Sequence, residues 1–169
     1  KVEISPLFAL DKQEFSAKEA LENVAEQMRT KAQAKDDLII VQVGAADRIY
    51  ADYDRFIQIM VNLTQNAIQF TKNGTITLSS FPDGDQQIIQ VKDTGIGIEK
   101  KDITSIWERF YKVDVSRKNT KFGESGIGLA VVQSLVMNHK GTIDVESNPG
   151  EGTIFTIKLP TKTALEKNS

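Results

Sequence analysis

The sequence contains no cysteine, one histidine, one tryptophan and four prolines. The absence of cysteine excludes disulfide bonds and thiolate metal sites, and it fits a reducing compartment. Basic and acidic residues nearly cancel, with 21 of one and 23 of the other, so no basic surface is large enough for nucleic acid to be the main ligand. No apolar run of membrane-spanning length and no signal-peptide pattern occurs, and the sequence therefore predicts a soluble polypeptide.

The length of 169 residues, of which 40% are hydrophobic, is typical of one globular domain. The chain starts with Lys1, and residues 164–169 are mostly polar. We therefore expect a piece of a longer protein, with a leader at residues 1–15, one domain at 16–160 and a flexible tail at 161–169.

The first half of the chain shows two helical patterns around one strand. Ser16 and Glu19 have the spacing of a capping box, and apolar residues follow at helical intervals. Leu38–Val43 is an apolar run interrupted only by Gln42, and it is typical of a buried strand. From Ala51 the apolar residues return to a helical period on two faces, which predicts a central helix that ends before Asn73 and Gly74.

The second half contains several segments that alternate with a period of two, one helical segment and one long segment without a sustained period. Strands are predicted at 75–81, 86–93, 142–147 and 153–159, and a helix at about 126–139. Together the elements indicate an α+β fold, with helices layered on a mixed, mostly antiparallel sheet. Residues 94–125 have no sustained period and carry glycines at both ends, which favours a mobile functional loop.

Three amide side chains form a polar stripe on the central helix, because Gln58, Asn62 and Asn66 recur every four residues. A buried amide without a hydrogen bond costs about 1–3 kcal/mol, so these groups need partners. Neighbouring loops could supply them. A magnesium ion is the alternative, since it prefers oxygen ligands and is often shared with nucleotide phosphates.

Asp93 ends a predicted strand on the same face as the apolar Ile89 and Val91, so its carboxylate points toward the core. A salt bridge or a turn cap would explain it. The glycines that follow, Gly95 and Gly97, instead favour the close approach of a flat ligand. A carboxylate only accepts hydrogen bonds, so it would select adenine, whose exocyclic amine donates, over guanine.

A second glycine segment, Gly123–Leu129, precedes apolar helical spacing. This arrangement predicts a glycine-rich turn at a helix N-terminus, where free N–H groups favour phosphate. The basic residues between the two glycine segments suit either a solvated loop or a lid over a triphosphate. The aromatic residues in the same stretch suggest docking on the core or on a partner, and they are Trp107, Phe110 and Tyr111.

In this order the segments resemble the signature boxes of the catalytic domain of sensor histidine kinases, from the ATPase superfamily that includes type II topoisomerases. QIMVNLTQNAIQFT is similar to the asparagine box, VKDTGIGI to the first glycine box, IWERFYKVD to the phenylalanine box and GESGIGLAV to the second glycine box. The resemblance covers residues 16–160. It implies a two-layer ATP-binding fold with a lid at about 94–125.

The resemblance also implies functional residues. Asn66 would hold Mg²⁺, Asp93 would bind the adenine amine, and Asn66 and Lys112 would serve catalysis. Trp107, Phe110 and Tyr111 would contact the partner domain. The full set of implied ATP-binding positions is Asn62, Asn66, Gln69, Phe70, Asp93, Gly95, Gly97, Ile98, Lys112, Ser125, Gly126, Ile127, Gly128 and Leu129.

The sequence departs from the family pattern at several of these positions. Gln69 stands where a phosphate-contacting Lys is usual, Trp107 where Phe is usual, and Glu124 where Gly is frequent. A degenerate module that binds nucleotide without transferring phosphate is therefore an alternative. A serine-kinase regulator of the same superfamily and an interaction module without nucleotide are two others.

The resemblance implies that the phosphate acceptor is a histidine on a separate dimerisation domain, from which the phosphate passes to a response-regulator aspartate. The chain's only histidine, His139, stands beside Gly141 at a predicted helix end. There it is expected to cap the helix or favour its dipole. We expect a monomeric domain from a homodimeric, membrane-bound bacterial sensor, with the domain itself in the cytoplasm.

Overall fold

The computed structural model describes residues 9–108 and 123–167, with the backbone alone for 123–127. No helix in these ranges is long and apolar enough to cross a lipid bilayer. In chain order the elements are β1 (Lys12–Ser16), α1 (Ala17–Ala34), β2 (Leu38–Val43), β3 (Arg48–Asp52), α2 (Tyr53–Gln69), β4 (Thr75–Asp83), β5 (Gln86–Asp93), α3 (Lys100–Ile103), α4 (Gly123–Asn138), β6 (Thr142–Ser147), β7 (Thr153–Pro160) and α5 (Lys162–Lys167).

Five strands form one sheet in the order β2-β4-β5-β7-β6. Only β2 and β4 pair in parallel, and the other three pairs are antiparallel. Helix α1 packs against β2, α2 against β5 and α4 against β6, and α2 lies between the other two helices. The core lies between this helical layer and the sheet. The predicted α+β architecture is confirmed.

Helices α1 and α2 begin as the sequence predicts. The Ser16 hydroxyl accepts a hydrogen bond from the Glu19 N–H at 3.1 Å, which confirms Ser16 as the N-cap of α1. Asp52 caps α2 in the same way through the Arg55 N–H at 3.1 Å, so α2 begins just after the predicted Ala51. At its other end the Lys35 ammonium donates to the carbonyls of Ile68 and Gln69, which closes the last turn of α2.

Two regions expected to be irregular have regular structure. Residues 12–16 form β1, which pairs with β3 in a separate antiparallel sheet. Phe15 fixes this strand by packing against Tyr53 and Phe56, at ring-centre distances of 5.0 and 5.4 Å. Residues 162–167 form α5, whose Ala164 is buried. Both elements are too short for a periodic signal, and they depend on contacts with distant parts of the chain.

The start of the predicted mobile loop is packed on the core. Ile98 and Ile106 are buried, and the Trp107 ring meets Phe155 edge-on at 5.8 Å. Residues 109–122 lie outside the described part of the chain. The helix α4 begins at Gly123, about three residues before its predicted start. The prediction of a glycine turn preceding this helix is therefore wrong.

His139 has the structural role that the sequence suggested. It is 2% exposed, and Nδ1 lies 2.8 Å from the Leu135 carbonyl oxygen, to which it donates. Nε2 accepts the Asp52 N–H at 3.1 Å, so both nitrogens are engaged by a neutral ring. Burial is the main cause that lowers the pKa of His139 below its ordinary value of 6.5. The ring caps α4 as an uncharged group.

Because His139 is buried as a neutral ring, we expect the free energy of unfolding to fall at acidic pH. Above pH 6.5 the ring is neutral in both the folded and the unfolded chain. Below pH 6.5 the ring is protonated in the unfolded chain while it stays neutral in the folded chain, because its folded-state pKa is lower. The free energy of unfolding should then fall by up to about 1.4 kcal/mol per pH unit, until the pH reaches the folded-state pKa. Urea unfolding from about pH 7.5 to 5.5 measures this slope. In His139→Gln the slope should be much smaller, and an unchanged slope would contradict the assignment.

Candidate functional site

The polar stripe on α2 becomes more deeply buried toward the end of the helix. Gln58 is half-buried, and its Oε1 accepts a hydrogen bond from the Arg55 guanidinium at 3.2 Å. Asn66 is 3% exposed, and its Oδ1 is buried with no hydrogen-bond partner among the described residues. The partner of Gln58 therefore comes from α2 itself and not from a neighbouring loop. The Asn66 oxygen has no loop partner among the described residues, and it is a suitable ligand for a hard cation.

The helix α4 approaches this stripe at Gly128. A Cβ atom added to Gly128 would lie 3.4 Å from Asn62 Oδ1, at the near edge of an ordinary van der Waals contact. The following residue, Leu129, is buried in the core. Helix α4 therefore lies beside Asn62 at Gly128.

Asp93 ends β5 and is 4% exposed, as its position on the apolar face predicts. Its Oδ1 accepts hydrogen bonds from the N–H groups of Gly95, at 2.9 Å, and Thr153, at 3.2 Å. Burial raises the pKa of Asp93, and these two N–H groups oppose the shift. The Thr71 hydroxyl also favours the charged form, although Thr71 Oγ1 makes no hydrogen bond of good geometry. Asp93 is a buried acid whose ionised form is held by the backbone.

The first glycine segment, residues 93–98, is clamped between the end of α2 and the β6–β7 turn. The Ile96 N–H donates to the Phe70 carbonyl at 3.0 Å, and a Cβ on Gly95 would overlap that same carbonyl. Gly97 has a φ of +79°, and a Cβ there would overlap the Asn148 carbonyl. The sequence suggested that these glycines make room for a ligand. The structure shows protein backbone beside both of them.

Substitution of Gly95 should therefore destabilise the fold even without ligand. In Gly95→Ala the new methyl group meets the Phe70 carbonyl, and relieving this overlap should cost about 2–3 kcal/mol of unfolding free energy. Gly44→Ala is the matched control, because nothing lies within 4 Å of its added Cβ. Thermal unfolding of both variants measures the difference. A Gly95→Ala variant as stable as Gly44→Ala would contradict the close contact between Gly95 and the Phe70 carbonyl.

The β6–β7 turn is the part of the site that sequence reasoning missed. The Ile98 N–H donates to Ser147 Oγ at 2.7 Å, and the Gly150 N–H donates to the Ile96 carbonyl at 2.8 Å. Gly152, with a φ of +84°, packs against the Asp93 carbonyl. The sequence signal was the glycine-rich turn after Ser147, which predicts a hairpin but not its contact with Ile98 and Asp93.

The remaining implied residues fall into two groups. Phe70 and Ile98 are buried, and Gln69 is half-buried at the end of α2. The structure thus brings the asparagine stripe, the first glycine segment and Gly128 into one region through α2. Outside the described residues, or described by backbone alone, are Phe110, Tyr111, Lys112, Ser125, Gly126 and Ile127.

Comparison with known proteins places these elements in a family. Residues 51–163 match the family described as histidine kinase-, DNA gyrase B-, and HSP90-like ATPase. The sensor histidine kinase YclK of Bacillus subtilis is 47% identical over 156 residues, which make up 92% of this chain and 33% of YclK. The circadian input-output histidine kinase CikA of Synechococcus elongatus is 33% identical, over 94% of this chain and 21% of CikA.

A solved structure shows the same fold. Full-length ShkA in complex with AMPPNP aligns with a TM-score of 0.80 and 30% identity, over 90% of this chain and 31% of ShkA. The chain thus spans about a third or less of these relatives. It belongs to the histidine kinase-, DNA gyrase B- and HSP90-like ATPase family, and within it the chain is a histidine kinase ATPase domain similar to those of the sensor histidine kinases.

Proposed function

We propose that this domain binds Mg-ATP where α2, the first glycine segment and α4 meet, and that it donates the γ-phosphoryl group to a histidine on a separate dimerisation domain. The observation that carries the proposal is the Asn66 amide oxygen, buried and without a partner among the described residues. An isolated buried oxygen of this kind costs about 1–3 kcal/mol, which a ligand would recover.

The residues present fit a magnesium ion. Asn66 Oδ1 offers the neutral oxygen that Mg²⁺ accepts, while water and phosphate oxygens complete its usual shell. When bound, the ion neutralises charge on the phosphates during transfer. Asn62 lies one helical turn earlier on the same face of α2, beside Gly128, and can contact the same ligand.

Asp93 supports adenine as the base. Its carboxylate is buried at the end of β5, where the Gly95 and Thr153 N–H groups hold one oxygen. In its ionised form it only accepts hydrogen bonds, which matches the amine of adenine and repels the carbonyl oxygen of guanine. The Asp93 end of the site would therefore take the base, and the Asn66 end the phosphates.

Phosphoryl transfer asks the protein mainly for alignment and charge stabilisation. The bond from the γ-phosphorus to ADP breaks as a bond to an imidazole nitrogen of the acceptor forms. His139 is not that acceptor, because both of its nitrogens are engaged. Lys112 is proposed to assist at the γ-phosphate, and Trp107, Phe110 and Tyr111 to meet the acceptor domain. A response regulator would then receive the phosphate from a homodimeric, membrane-bound parent.

Two measurements test this function. Mixed with the phosphoacceptor domain of its own kinase and γ-labelled Mg-ATP, the chain should label that domain, whereas the chain alone should stay unlabelled. The fluorescence of Trp107, the only tryptophan, should respond to Mg-ATP far more than to Mg-GTP. A saturable response without transfer would identify a degenerate nucleotide-binding module. The absence of any response, together with no heat in calorimetry, would refute the nucleotide site.

A further inference from the structure

Ser147 holds three partners at the junction of the first glycine segment and β7. Its Oγ lies 2.7 Å from the Ile98 nitrogen, 2.9 Å from the Gly152 carbonyl oxygen and 2.8 Å from Thr153 Oγ1. A serine hydroxyl has one hydrogen to donate and two lone pairs to accept with. These three contacts therefore use its full capacity.

The directions of the three bonds follow from the chemistry of the partners. A backbone N–H only donates and a carbonyl only accepts, so Ser147 accepts from Ile98 and gives its single hydrogen to Gly152. Ser147 has no hydrogen left for the third bond. The Thr153 hydroxyl must therefore donate to Ser147, and only the lone pairs of Thr153 Oγ1 remain for other contacts.

These side chains stand in one row across the sheet. Thr153 is the register partner of both Ser147 on β6 and Asp93 on β5, so all three side chains point to the helix-covered face. The Thr153 N–H bonds to Asp93 Oδ1 at 3.2 Å, and Thr153 and Asp93 are each 4% exposed. Next to the carboxylate of Asp93, Thr153 Oγ1 is thus a second oxygen that can only accept hydrogen bonds.

We propose that Ser147 is a positioning residue for base selection: it holds the Thr153 hydroxyl as an acceptor, so that Asp93 and Thr153 both accept hydrogen bonds from the base and neither donates one. This inference rests on the proposed binding of ATP at Asp93. A purine with an amine at position 6 is favoured, and one with a carbonyl oxygen there finds no donor in either of these two side chains. Without Ser147, the Thr153 hydroxyl is free to turn its hydrogen toward that oxygen.

The test compares the binding of Mg-ATP with that of Mg-ITP, whose base carries a carbonyl oxygen at position 6. Dissociation constants come from calorimetry, or from competition with a fluorescent ATP analogue, on the intact chain. In Ser147→Ala the preference for ATP over ITP should fall about tenfold, the factor that one hydrogen bond is worth. The exposed Ser134→Ala is the matched control and should leave both constants unchanged.

A second variant establishes that Ser147 acts through Thr153. Thr153→Val removes the hydroxyl at nearly constant volume, and in that background Ser147→Ala should no longer change the ATP-to-ITP ratio. If Ser147→Ala does not fold, Ser147→Cys carries the same test, because a thiol accepts only weakly.

The possible outcomes separate this inference from the proposed function. If Ser147→Ala weakens the binding of ATP and ITP equally, Ser147 only stabilises the conformation of the loop. This result would overturn the inference while the proposed function stands. A change in the ratio that persists in Thr153→Val would also overturn it. A wild-type chain that binds neither nucleotide would overturn the proposed function and the inference together.

Discussion

Asp93→Asn should weaken the binding of Mg-ATP about ten- to a hundredfold, because a charged hydrogen bond contributes about 1.5–3 kcal/mol. The substitution keeps the size of the side chain and an oxygen for the Gly95 and Thr153 N–H groups, so the fold should persist. The amide can now donate a hydrogen, and the preference for ATP over GTP should shrink as well. Calorimetric titration with both nucleotides measures the two effects. Unchanged ATP affinity would remove Asp93 from the site.

The pH dependence of binding gives a second measure of the same group. Burial is the first cause that raises the pKa of Asp93 above 3.8, so acid protonates this carboxylate earlier than an exposed one. The affinity of the wild-type chain for ATP should therefore fall as the pH drops through the folded-state pKa of Asp93. Asp93→Asn resembles the protonated acid and should lose this component. An equal fall in both proteins would assign the pH effect to another group.

Asn66→Ala should separate stability from activity. The variant removes the only metal ligand that α2 is proposed to supply, and phosphoryl transfer in the presence of Mg²⁺ should fall on the order of a hundredfold. Its free energy of unfolding should stay within about 1 kcal/mol of wild type, because the lost Oδ1 is a buried oxygen without a partner among the described residues. Transfer assays and urea unfolding of the same preparation measure the two quantities.

The matched control for Asn66→Ala is Gln58→Ala, which removes another amide from the same stripe. Gln58 is half-buried and bonds to Arg55, so its loss should leave phosphoryl transfer near wild type. If both variants lose activity equally, the stripe supports the fold of α2 and not a metal ion. If Asn66→Ala retains activity, the metal ligand lies elsewhere.

Local geometry explains why so much of the secondary structure was predictable. A helix repeats about every 3.6 residues and a strand every two, so apolar residues mark the buried face of each element. The strands Leu38–Val43, Gln86–Asp93 and Thr142–Ser147 have the predicted bounds. The short elements β1 and α5 carry no such pattern. At the start of α4 the glycines favour a turn by local propensity, although the chain is helical there.

By itself, the sequence determined which way side chains face: Asp93 inward at the end of its strand, and Gln58, Asn62 and Asn66 along one stripe of α2. Only the tertiary structure decided which partner each group meets. It left Asn66 Oδ1 without a partner among the described residues, set the Phe70 carbonyl against Gly95, and joined Ser147 to Ile98 across 49 positions of the chain. The direction of a side chain depends on the backbone repeat within one element. Its contact partners depend on how loops bring distant segments of the chain together, and no local sequence pattern specifies those contacts.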